Sequence, residues 1–80
     1  MKKDTLVDEF ELVMGWIEAC IKRGDLEIEM KLSQYLFGFL VATECFDSKL
    51  SKRLSQRANT LIKNWHKQVN TEEERVFSKA

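Results

Sequence analysis

Apolar positions along this chain fall into three stretches, and all three repeat with a helical period. The densest is Tyr35-Leu36-Phe37-Gly38-Phe39-Leu40-Val41-Ala42-Thr43-Glu44-Cys45-Phe46, uninterrupted by charge until Glu44. Before it, Leu6, Phe10, Val13, Ile17 and Cys20 step by 4, 3, 4 and 3, with Val7, Met14 and Ile21 widening the stripe. That spacing predicts a core-facing amphipathic helix over 5–23. Leu12 and Trp16 lie off this stripe, one turn apart on another flank, with Gly15 beside them. After the central run, Leu50, Leu54, Ala58, Leu61, Trp65 and Val69 predict a third helix over 48–69.

The middle helix is expected over 26–46 and carries two stripes. Ile28, Leu32, Leu36, Phe39 and Thr43 form one; Met30, Phe37, Val41 and Cys45 form the other. A helix that is apolar on more than one side is expected to be buried on more than one side. Gly15 and Gly38 are expected where a neighbouring helix or ring comes close. From Leu26 to Leu32 apolar residues alternate with Glu27, Glu29 and Lys31, which is the period of a half-buried strand. The chain offers that strand no partner, and an isolated pair is marginal in water, so helix is preferred there too.

Punctuation agrees with three helices. Gly24 suits the residue just past a helix end, and Asp25 suits an N-cap, so Arg23-Gly24-Asp25 reads as a tight turn between antiparallel neighbours. The same tripeptide is an adhesion motif on extracellular loops; helix punctuation explains it here. Thr5 with Asp8 resembles a capping box, and Asp47 or Ser48 caps the third helix. Thr71 with Glu74 has capping-box spacing, which predicts a short fourth helix over 72–77 with Val76 and Phe77 docked on the bundle.

Composition changes this picture little. The chain has 80 residues, no proline and three glycines, which suits long helices rather than a many-turned β fold. A single core at this size supplies only ~3–5 kcal/mol net, and oligomerisation is a common supplement. Two Trp and five Phe argue against disorder. Acids break any apolar leader after Lys2 and Lys3, and the central run is too short to span a bilayer, so a cytoplasmic protein is expected.

Charge is more informative. The formal net charge is zero, yet residues 1–47 carry ten acids and five bases, and 48–71 carry six bases and no acid. Lys49, Lys52, Arg53, Gln56, Lys63 and Lys67 gather on the polar side of the third helix. They form a candidate face for nucleic acid or an acidic partner. The neutral total and the acidic first half weigh against nucleic acid, which stands as the alternative reading.

No catalytic or metal chemistry stands out. His66 is the sole histidine, and no CxxC or HxxxH spacing occurs. Cys20 and Cys45 fall near opposite ends of an antiparallel hairpin, roughly 25 Å apart at 1.5 Å per residue, so they are expected as two buried thiols rather than a disulfide. No Gly-rich phosphate loop is present, and His66 reads as a surface residue near a helix end. No enzyme activity, cofactor, small-molecule substrate or membrane partner is expected.

Apolar positions exceed what three thin stripes need. Leu12 and Trp16, with Phe37 and Val41, form the candidate protein interface. For Phe37 and Val41 the cover is either the third helix or a second chain. The expectation is therefore an all-α, antiparallel three-helix bundle with a short fourth helix, dimeric, acting as a non-enzymatic binding or regulatory protein through an apolar helix surface.

Overall fold

A computed structural model describes the backbone of residues 3–79 and the side chains of residues 4–71. It is all-helical, with three helices each packed on the other two: α1 (Lys3–Arg23), α2 (Leu26–Phe46) and α3 (Ser48–Lys79).

The first turn follows from its residues. Gly24 has φ 75°, the left-handed conformation that glycine adopts without a Cβ penalty. Its N–H donates to Ile21 O, and the Asp25 N–H donates to Cys20 O at 2.9 Å. This pair of bonds satisfies the last carbonyls of α1 in a Schellman arrangement. Asp25 then caps α2, its side chain accepting from the Ile28 N–H. At the second turn Asp47 caps α3, its Oδ1 accepting from the Leu50 N–H at 3.1 Å.

Reversal at each turn sets the register. Two reversals make α1 and α3 parallel, and the Glu11–Arg57 ion pair at 2.7 Å sets these two positions level with each other. By the same offset Arg23 is level with Val69. The 32 residues of α3 run past the ends of α1 and α2, which have 21 residues each. No break occurs at Asn70–Thr71. Thr71 sits inside the helix, and its hydroxyl donates back to Lys67 O rather than capping a new turn. Neither Asn nor Thr breaks a helix as Pro does, so the expected boundary at Val69 does not form. The expected docking of Val76 and Phe77 lies outside the described side chains. At the other terminus α1 starts at Lys3, placing Thr5 within the helix.

The core belongs mainly to α1. Leu6, Phe10, Val13, Met14, Ile17, Cys20 and Ile21 are buried, along the stripe read from the sequence. From α3 come Leu50, Leu54 and Ala58, with Leu61, Ile62, Trp65 and Val69 packed at the edge. The most apolar helix, α2, gives only Leu36 and Thr43 to the buried set. Its expected double burial is therefore corrected. Of the first stripe, Leu32, Leu36, Phe39 and Thr43 pack inward while Ile28 is exposed; on the second, Phe37 is 71% exposed and Val41 is 46% exposed, so α3 does not cover them. The reason is angular. Two neighbours grip a helix over a limited arc, and Phe37 and Val41 lie beyond it.

Three smaller expectations change for the same reason. Cys20 is buried, but Cys45 is exposed, because two residues along a helix put it nearly opposite buried Thr43. A Cβ built on Gly15 or Gly38 would meet nothing within 4 Å, so neither glycine marks a close approach. Both face solvent.

Candidate functional site

Two exposed apolar surfaces flank α2, one toward α1 and one on its other side. Nine large apolar side chains are exposed among the described residues, and seven of them sit on α2: Leu26, Ile28, Met30, Tyr35, Phe37, Val41 and Phe46. The other two are Leu12 and Trp16 of α1, each 49% exposed. All four candidate interface residues are thus accessible.

They do not form one patch. The Tyr35 hydroxyl donates to Glu9 Oε1 at 3.1 Å, which fixes the side of α2 that faces α1. On an ideal helix Phe37 lies about 160° around α2 from Tyr35, and Val41 about 120°, so both turn from α1. Glu9 and Trp16 are two turns apart and share one line along α1, and Leu12 lies within about 60° of it. Leu12 and Trp16 are therefore on the flank toward α2 and belong with the α1–α2 groove. Phe37 and Val41 belong with the other side of α2.

The α1–α2 groove opens near one end into an apolar cavity of about 390 Å³, lined by Thr5, Leu6, Glu9, Tyr35, Phe39, Ala42, Thr43 and Phe46. Among the described residues that line it, Glu9 is the only charged one. The Glu9 carboxylate raises the Tyr35 phenol above its ordinary pKa, first by holding the phenolic proton in a hydrogen bond and then by opposing the phenolate charge.

The far side of α2 borders α3. The Ser51 hydroxyl donates to Leu40 O at 2.7 Å, and His66 Nε2 lies 2.8 Å from Glu29 Oε2. Beyond these contacts α3 presents Lys49, Lys52, Arg53, Gln56, Lys63 and Lys67, all exposed. The basic face read from the sequence is intact. Arg57 alone turns to the bundle edge, where it pairs with Glu11. A shallow depression between the helices is lined by Glu44, Ser48, Lys49, Ser51, Lys52, Ser55 and Gln56.

The Glu29–His66 pair corrects the reading of His66 as a plain surface residue. The acids nearest to it in sequence are Glu72 and Glu73, but its partner is Glu29, which keeps only 13% of its side chain exposed. Glu29 Oε1 is buried and has no hydrogen-bond partner. The sequence does carry a signal for this pair. Glu29 and His66 lie almost equally far from Asp47 on either side, so an antiparallel hairpin folded at Asp47 brings them level.

Among the described residues, no three His, Cys, Asp or Glu side chains gather as a metal site requires. No helix among them is long and apolar enough to cross a membrane. No protein-family model, curated protein or solved structure matches the chain.

Proposed function

We propose that this chain is a non-enzymatic binding or regulatory protein that acts through the exposed apolar surface of α2 and associates as a homodimer. One observation carries this reading: the most apolar helix of the bundle is its least buried, and Phe37 is 71% exposed. A helix that is apolar on more than one side has a face left for an assembly to bury when its own bundle covers only one. Exposed apolar patches on a folded protein mark interaction sites. The dimer contact is assigned to the α1–α2 side, where Leu12 and Trp16 join Ile28, Tyr35 and Phe46. A second copy there would also supplement a core that is small for a lone domain. Two free cysteines are compatible with a reducing compartment such as the cytoplasm.

Light scattering after size exclusion tests the dimer. The expected mass is twice the 9.4 kDa of one chain. Trp16→Ala is expected to shift the mass toward the monomer while leaving helix content unchanged. A wild-type monomer at high concentration would sink the dimer.

A second reading rests on the exposed face formed by Lys49, Lys52, Arg53, Gln56, Lys63 and Lys67. It suits a nucleic-acid-binding regulator, with these side chains on phosphates. Affinity for duplex DNA that falls steeply with salt would support it, and no binding at low salt would end it.

A further inference from the structure

Leu26, Met30, Phe37 and Val41 recur at steps of 4, 7 and 4 along α2 and form a seam roughly 22 Å long. Their exposures run from 46% at Val41 to 71% at Phe37, so the seam is open along its whole length. Its position is set by the contacts of α2. Leu40, whose carbonyl takes the Ser51 hydroxyl, lies three residues after Phe37, and Glu29, which pairs with His66, lies three after Leu26. Three residues along a helix turn it by about 60° short of a full circle, in the same sense for both pairs. The seam thus forms one wall of the α2–α3 groove. The other wall is α3, where Lys52 directly follows Ser51 and Lys63 lies one turn before His66. Both lysines are exposed, and α3 has no acid between 48 and 71. Of the acids on α2, Glu27 pairs with Lys31 and Glu44 sits in the depression with Lys49 and Lys52.

We propose that this groove docks an amphipathic helix of another protein whose apolar stripe is bordered by Asp and Glu. The inference rests on reading the α2 surface as a binding surface, and it adds the chemistry of the partner. A groove between two helices with a straight apolar wall accepts a helix through i, i+4 and i+7 anchors. The basic wall then selects acids at the margin, as charge across an interface sets partner choice more than affinity. A second copy of this chain fits the groove poorly. In an antiparallel pairing about a two-fold axis that crosses the seam, Lys52 would meet Lys63 of the other protomer. The acidic α1 of another copy offers only Leu12 and Trp16 as exposed large apolar anchors, half of what the seam presents.

Two labelled peptides of about 18 residues test this, with the same leucine stripe and either Glu or Lys at the margins. Fluorescence anisotropy is read against the full chain at about 50 mM and about 300 mM salt. The Glu peptide is expected to bind at least about tenfold tighter than the Lys peptide at low salt, with the gap narrowing at high salt. Phe37→Asp should abolish binding with helix content unchanged, and the double change Lys52→Glu, Lys63→Glu should invert the preference. Equal affinities, or no binding of the Glu peptide, would overturn the inference. Light scattering on the same samples separates the two levels. A Trp16-dependent dimer that ignores the Glu peptide removes the groove inference alone. A monomer that binds neither peptide removes the functional reading with it. Loss of the dimer in Phe37→Asp would mean that a second copy covers the seam, which also overturns the inference.

Discussion

Glu29 on α2 and His66 on α3 are far apart in sequence, yet their side chains meet at 2.8 Å and tie the first turns of α2 to the middle of α3. One carboxylate oxygen takes the histidine, and the other is buried with no partner. His66→Ala is expected to cost ~1–3 kcal/mol, because it leaves a mostly buried carboxylate with neither oxygen paired. Replacing both residues with leucine should recover much of that loss. Urea denaturation midpoints of the single and double variants read the difference, and an unchanged midpoint for His66→Ala would refute the structural role of the pair.

The core is concentrated on α1, so sensitivity should be too. Phe10 is fully buried, and Phe10→Ala is expected to cost ~3–5 kcal/mol, about the whole net stability of a core this size. Phe37→Ala, on the most apolar helix, should change stability by no more than about 0.5 kcal/mol. Thermal melts followed by circular dichroism would show an unfolded Phe10 variant beside a nearly wild-type Phe37 variant.

Tyr35 is the sole tyrosine, which makes its titration readable by phenolate absorbance. Its folded pKa is raised by the Glu9 hydrogen bond and charge, so the stabilisation it brings is complete below the unfolded value of about 10. That contribution is lost as pH rises through the folded value. Glu9→Gln is expected to lower the midpoint toward that of free tyrosine. An identical midpoint in the variant would show that Glu9 does not hold the proton.

Both turns depend on single residues. Asp47→Ala removes the acceptor of the Leu50 N–H and should cost ~1 kcal/mol. Gly24→Ala forces a Cβ into φ 75° and should cost ~1–2 kcal/mol, although no atom beyond its chain neighbours lies within 4 Å of the added carbon. Chemical denaturation of both variants checks the pair; a neutral Gly24→Ala would show that the turn relaxes.

Local structure was legible in the residues alone. The stripe from Leu6 to Ile21, the Gly24-Asp25 punctuation and the cap at Asp47 are short-range facts, because periodicity and capping act within a few residues. The three helices and the basic face of α3 follow from them. What lies opposite what was settled only when the helices packed. Periodicity reports that Phe37 and Val41 share a side of α2, but not whether α3 reaches that side. Only packing shows that α1 takes the centre, that Cys45 faces out, and that Leu12 and Trp16 lie across α2 from Phe37 and Val41. Burial depends on the arc that neighbouring helices cover, a long-range property that no spacing along one helix encodes. The same holds for Glu29, a charged residue in an alternating run, which became a buried partner of His66 only when the hairpin at Asp47 closed.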